Sequence, residues 1–231
     1  MKTLYIIPAR GGSKGIPGKN LRILAGKPLI LHSLELARQF ADDQDICLTT
    51  DSAEIAKIAS EVNYQIPFIR PASLSDDSSG MNEVLLHALN HYKQLGKEYE
   101  CIVLMQPTSP FRLPVHVDGA MSLYTREVDM VVSVKKAEAN PYFVLFEENS
   151  NGFLAKSKTG NFVRRQDCPA VWQYNGAVYV INTESLKKSG LQNFTKVIKY
   201  PMDELHSVDL DTELDWQFAE FLNGIYKILP I

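Results

Sequence analysis

The sequence predicts an α/β protein built on a mostly parallel sheet with helices on both faces. Three observations point there. Short apolar runs rich in β-formers recur along the chain, amphipathic stretches of helical period separate them, and a basic glycine-rich loop follows the first run directly. Residues 3–7, 46–50, 101–105 and 130–134 are compact apolar runs closed by Pro, Asp or polar residues, so they read as buried strands. Ile30, Leu34 and Ala37 keep helical spacing after Gly26-Lys27-Pro28, where Pro28 suits a first helical position. Ile55, Ile58, Ala59 and Val62 form a second stripe behind a capping Asp51 or Ser52, and Leu85, Ala88, Leu89 and Tyr92 form a third. From about residue 135 the chain turns polar and irregular, with turn signals at Asn140-Pro141, at Asn149 to Gly152 and at Thr159-Gly160-Asn161. This predicts a hairpin-bearing excursion that serves as a lid or as an oligomer arm. Residues 177–181 return to strand, and a last helix starts near Asp211-Thr212 with Leu214, Phe218 and Phe221 on one face and with Trp216 expected in packing or at an interface.

The expected organisation is a single domain over residues 1–231 with an insertion at about 135–175. A net charge of -3 and a sequence pI near 6.0 supply no global field for nucleic acid or an anionic membrane. The first residues lack a signal-peptide pattern, and no apolar run has the length of a membrane span. Cys47, Cys101 and Cys168 are odd in number and far apart, which fits a reducing compartment and argues against a zinc site. The five histidines show no metal-ligand spacing. The expectation is a cytoplasmic protein with no nucleic-acid or membrane partner.

The stretch Pro8-Ala9-Arg10-Gly11-Gly12-Ser13-Lys14-Gly15-Ile16-Pro17-Gly18-Lys19-Asn20 carries most of the chemistry. Glycines let backbone amides approach phosphate oxygens, and Arg10, Lys14 and Lys19, followed by Arg22, offset phosphate charge. Neither the Walker spacing nor GxGxxG is present, and three cations suit a nucleoside triphosphate. In a parallel sheet this loop falls at the carboxyl ends of the strands, where ligands bind. Asp209 and Asp211, at i and i+2 on an extended segment, point to one side. They could hold Mg²⁺ completed by water and phosphate oxygens, or Asp211 could cap the last helix with Thr212. Asp51 has two open readings, cap of the second helix or contact to a ribose. Gln106-Pro107-Thr108-Ser109-Pro110-Phe111-Arg112 is a stiffened loop in which Gln106 and Arg112 can address a polar ligand. Arg164-Arg165-Gln166 and Asn175-Gly176-Ala177 offer groups for a carboxylate and a polyol.

Taken together, these segments resemble the acylneuraminate cytidylyltransferases, or CMP-sialic acid synthetases. The matching pieces are the glycine-rich loop, Thr50-Asp51, Arg70-Pro71, Gln106 to Pro110, Arg165-Gln166, Asn175-Gly176-Ala177 and Asp209-Leu210-Asp211-Thr212-Glu213-Leu214-Asp215, in family order over nearly the whole chain. The resemblance implies a Rossmann-like nucleotidyltransferase fold with a small dimerisation insertion. It implies a homodimer whose excursion helps close the partner's sugar pocket, and CMP transfer from CTP to the anomeric hydroxyl of a nine-carbon sugar acid. N-acylneuraminate is the expected acid; legionaminic or pseudaminic acid is the alternative, the eight-carbon Kdo a distant third, and a non-catalytic nucleotide-binding module the reading outside enzymology. It places Arg10, Lys14, Lys19, Asn20 and Arg70 on CTP, with Arg10, Lys19 and Asp211 as the catalytic set. Gln106, Arg165, Asn175 and Tyr179 would face the sugar acid, and Asp209 and Asp211 would carry Mg²⁺. No general base is assigned. Three positions depart from the family pattern. Met81 ends Asp77-Ser78-Ser79-Gly80-Met81 where a hydroxyl residue is common, Tyr142-Phe143 stand where some sialic acid enzymes carry lysine, and a pair of aromatics is reduced to Phe194. A less polar wall at Asn140-Pro141-Tyr142-Phe143 suits a deoxygenated acid.

Overall fold

The computed structural model describes residues 1–75 and 80–229, so the expectation at Asp77-Ser78-Ser79 lies outside the described residues. The chain opens with β1 (Thr3–Pro8), a short ladder of β2 (Ile23–Leu24) with β3 (Lys27–Pro28), and α1 (Leu29–Ala37). β4 (Ile46–Thr49), α2 (Ala53–Glu61), α3 (Met81–Gln94), β5 (Cys101–Leu104), α4 (Pro114–Ser122) and β6 (Met130–Lys136) follow. The insertion carries β7 (Phe146–Glu148) and β8 (Leu154–Lys156), paired antiparallel in a sheet of their own. β9 (Trp172–Asn182), α5 (Thr183–Ser189), β10 (Val197–Pro201) and α6 (Glu213–Tyr226) complete the order.

The main sheet runs β10-β6-β9-β5-β1-β4. β1 pairs in parallel with β4 and β5, and β10 with β6; β9 alone runs against its two neighbours. The strands are apolar on both sides because both faces are covered. Ile30 and Leu34 of α1, Ile55 of α2 and Val117 of α4 pack with Ile7, Leu48 and Val103 on one face. Leu85 and Leu89 of α3 and Leu186 of α5 pack with Leu4, Ile6 and Ile102 on the other. The mostly parallel, doubly covered sheet is the expected one. Two features go beyond the expectation: β9 reaches back to Trp172, and β10 forms an edge whose half-exposed residues gave no apolar run to read.

The last helix turns Trp216 inward, the packing option expected for it, and leaves its other apolar stripe outward. Its packing face is Trp216, Ala219 and Leu222, which join Ile16, Leu29, Phe111 and Leu210 in a third core cluster. Leu214, Phe218 and Phe221 are exposed. The indole decides the rotation. Trp216 is fully buried, the Arg22 guanidinium lies 4.4 Å from its ring centroid, and Arg22 also pairs with Glu213 at 2.6 Å. One large ring with a cation on its face outweighs a stripe of smaller side chains.

Candidate active site

The strand order places the carboxyl ends of β1, β4 and β5 side by side, and the glycine-rich loop leaves from the first of them. The loop is held from several directions. The Gly11 N–H donates to Asp51 Oδ1 at 2.9 Å, and the Asn20 amide donates to the Arg10 carbonyl at 3.0 Å. Asp51 also lies 3.8 Å from the buried Arg70 guanidinium. Burial lowers the Arg70 pKa while Asp51 works in the opposite sense. Ser52 takes the capping role on α2, accepting from Ile55 N–H, so Asp51 is free to join loop and arginine. Gly18 sits at φ +64°, the left-handed region that favours glycine, just before buried Lys19.

Lys19 connects the loop to the carboxylate segment. Its Nζ donates to the Leu210 carbonyl and lies 3.5 Å from Asp211 Oδ1. Gly15 packs so closely there that a Cβ would run into the Asp211 carbonyl. Leu210 is buried, which turns Asp209 and Asp211 to the side opposite it, as an extended segment requires. The Leu210 N–H donates to the Thr108 carbonyl at 2.9 Å. Thr212 caps α6 in a reciprocal box with Asp215, which removes the capping role considered for Asp211. The Asp209 carboxyl pKa is raised, first by loss of water around it and then by the Asp211 charge, against the hydrogen bond with Thr108 and the charge of Lys19.

A cavity of about 440 Å³ occupies this junction. Arg10, Lys19, Asn20 and Arg70 line it together with Gln106, Asp209 and Asp211. A second cavity of about 920 Å³ shares Leu74, Met81 and Gln106 with the first and is walled by Tyr179 and Tyr174. Its lining is mixed, with Leu104, Met130, Ile181, Leu191 and Phe194 apolar and Asn82, Glu83 and Gln192 polar. Gly176 permits the seam between the two. It has φ +75°, and a Cβ there would lie 2.9 Å from Ser109 Oγ, 3.0 Å from Gln106 Oε1 and 3.8 Å from Asp209 Oδ2.

Three of the residues singled out in the sequence stand elsewhere. Lys14 is exposed on the loop and does not line either cavity. Arg165 is exposed in the insertion, where its guanidinium donates to the Glu138 carbonyl at 2.7 Å and lines a separate cleft of about 350 Å³. Asn175 is buried, and its amide is taken up by the protein. Oδ1 accepts from Ser133 Oγ at 2.6 Å, and Nδ2 donates to Ser207 Oγ at 2.8 Å. It braces the segment leading to Asp209 rather than facing a ligand. Arg112, also considered for a ligand, is buried behind the Gln106 loop. Asp51 and Gly176 gain site roles that their sequence context did not specify. The adjacency of Thr50-Asp51 to a strand end was the one available signal.

A profile described as cytidylyltransferase matches residues 4–215. The chain belongs to the cytidylyltransferase family. It is 31% identical over 225 residues to a CMP-N,N'-diacetyllegionaminic acid synthase of Legionella pneumophila, covering 96% of each chain. It is 35% identical over 221 residues to an N-acylneuraminate cytidylyltransferase of Streptococcus agalactiae, covering 94% of this chain but 52% of that one. Among solved structures, the CTP complex of a CMP:2-keto-3-deoxy-manno-octonic acid synthetase superposes with a TM-score of 0.70 at 16% identity, covering 97% of this chain and 99% of that one. That likeness establishes the fold. Among the described residues no helix is long and apolar enough to cross a membrane.

Proposed function

We propose that this cytidylyltransferase transfers CMP from CTP to the anomeric hydroxyl of a nonulosonic acid, releasing pyrophosphate. The carrying observation is the 440 Å³ cavity, in which the loop cations and the Asp209–Asp211 carboxylates converge, continuous with a larger cavity suited to a sugar. In the transfer the anomeric oxygen bonds to the α-phosphorus, the bond from the α-phosphorus to the bridging oxygen breaks, and the hydroxyl proton leaves to solvent or a nearby base. Such chemistry needs alignment and charge neutralisation more than covalent help. Arg10 and Lys19 hold the triphosphate, with Lys14 reaching it from the loop's outer side. Asn20 keeps the loop closed over it through the Arg10 carbonyl, and Arg70 lies at the nucleotide side of the cavity. Gln106 and Tyr179 face the sugar acid.

The donor set fits a magnesium ion. Two carboxylates on one side of an extended segment, beside a phosphate cavity, are what Mg²⁺ takes when water and phosphate oxygens complete its shell. The Asp211 charge works against ionisation of Asp209, and a cation between the two would relieve that repulsion. Bound at Asp209 and Asp211, Mg²⁺ would neutralise charge on the departing pyrophosphate.

Two acids remain in play. N-acylneuraminate is what the S. agalactiae relative is named for. The apolar part of the second cavity's lining, Leu104, Met130, Ile181, Leu191 and Phe194 with Met81, favours a deoxygenated acid of the legionaminic or pseudaminic type, while Asn82, Glu83 and Gln192 on the same lining offer partners for the polar groups such an acid keeps. The L. pneumophila relative, matched over 96% of its length, supports the same choice. The test is pyrophosphate release from CTP and Mg²⁺ across N-acetylneuraminic, legionaminic, pseudaminic and Kdo acids, with ATP, GTP and UTP as controls. Release with CTP and one nonulosonic acid is expected. Silence from folded protein that still binds CTP would replace the transferase reading with the non-catalytic module.

We also propose a homodimer joined through the insertion. Phe146, Phe153, Leu154 and Val163 are exposed on it and need burial that their own chain does not provide. Light scattering should give twice the 26.0 kDa chain mass; a monomer at working concentration would leave the insertion as an intramolecular lid.

A further inference from the structure

Arg112 is a charged group beside the site that the reaction above does not use. Its side chain is buried, and among the described residues no carboxylate pairs with it. An isolated charge in such a place is costly unless hydrogen bonds surround it. Nη1 donates to the carbonyls of Gln106 at 2.6 Å, Ser109 at 3.0 Å and Ala177 at 3.2 Å, and Nη2 donates to Ser33 Oγ of α1. Nε is buried without a partner.

These acceptors lie off the regular ladders. Gln106 and Ser109 belong to the loop after β5. Ala177 lies in an irregular stretch where the β6–β9 register passes from Val132↔Tyr179 to Val134↔Tyr174, so that several residues of β9 face Ser133 alone. A bulge of that kind leaves carbonyls without strand partners. Ser109 Oγ then donates to the Asn175 carbonyl at 3.1 Å, tying loop to bulge a second time. The guanidinium thus stands at the crossing of three elements, directly behind Gln106, one of the residues that line both cavities.

We propose that Arg112 is a positioning residue for the sugar acid: as a fixed internal cation it gathers the Gln106, Ser109 and Ala177 carbonyls and so sets the Gln106 side chain at the seam of the two cavities. A planar fork serves three carbonyls and a hydroxyl at once, which a lysine ammonium at the end of a flexible stem does not. The inference rests on the cytidylyl-transfer reading, since it needs a sugar acid to be turned over.

The experiment compares wild type with Arg112→Lys in pyrophosphate release, varying CTP and the accepted acid separately. Loss of the fork should raise KM for the acid about tenfold or more while KM for CTP stays within about twofold, because a misplacement near 1 Å costs on that scale and the triphosphate loop is untouched. In the Gln106→Ala background, Arg112→Lys should add less than about threefold to the acid KM, as effects acting through one residue fail to add. A fall in kcat with both KM values unchanged, the signature of a smaller folded fraction, would overturn the proposal. So would full additivity with Gln106→Ala. If Arg112→Lys does not fold, Ser33→Ala removes only the Nη2 acceptor and should raise the acid KM in the same direction; no change in it would overturn the proposal equally. A wild type silent on every acid would instead count against the transferase reading.

Discussion

The glycine-rich loop and the insertion are built by opposite rules. Along the loop, contacts from other elements hold the chain: the Gly11 N–H to Asp51, Lys19 to Leu210 and Asp211, Arg22 to Glu213 and Trp216. In the insertion the exposed rings of Phe146 and Phe153 contribute to none of the core clusters, and β7 and β8 pair only with each other. The difference teaches where the chain is self-sufficient. A site for a highly charged ligand has to be rigid before the ligand arrives, since preorganised dipoles and charges do the work. A two-stranded ribbon alone buries too little to stand independently and relies on another surface.

Four measurements break or sharpen this contrast. Asp211→Ala should lower turnover by at least on the order of 10²-fold while circular dichroism and oligomeric state stay as in wild type, because the carboxylate is exposed and α6 keeps its Thr212 cap. Full activity in that variant would remove Asp211 from the site. Gly176→Ala forces a side chain into the left-handed region against Ser109 and Gln106, at a cost of about 1–3 kcal/mol. Thermal denaturation should show the loss, and an unchanged Tm would mean that the bulge is softer than its contacts imply. Phe153→Glu, on the insertion, should shift light scattering toward monomer with a Tm change worth less than about 0.5 kcal/mol. A dimer that persists would place its interface elsewhere. The smallest effect concerns pH. The Asp209 carboxyl has a raised pKa, so it takes up a proton at a higher pH than an ordinary aspartate does. Mg²⁺-dependent turnover should fall as pH drops through that value, and excess Mg²⁺ should push the acid limb lower by competing with the proton. An acid limb insensitive to Mg²⁺ would detach Asp209 from the metal.

The same contrast explains what was legible. The strands at β1, β4, β5 and β6 announced themselves because burial on both faces writes a continuous apolar run, and the loop did so because glycines and cations coincide behind one. Local composition carries that information. The roles of Asn175 and Arg112 were not legible, because a buried polar residue and a ligand-facing one have the same letter; only the partners Ser133, Ser207 and Ala177, distant in sequence, tell them apart. The inward face of α6 is not marked by its apolar stripe, for a related reason. Leu214, Phe218 and Phe221 keep a clean helical stripe, yet the cation on the Trp216 ring comes from the far end of the chain.

The direction of β9 has one more consequence. Because it runs against β6, the last residue of β6 and the first of β9 are register partners, Lys136 with Trp172, and the Ala137 N–H donates to the Val171 carbonyl at 2.9 Å. The insertion therefore leaves and re-enters the sheet through a single closed neck. Lengthening, shortening or exchanging the residues beyond that neck leaves every strand register of the main sheet in place, at a closure cost of only about 0.6 kcal/mol per doubling of loop length. The excursion behaves as a module plugged into one socket, whose changes act on what it docks against and not on the strands behind the socket.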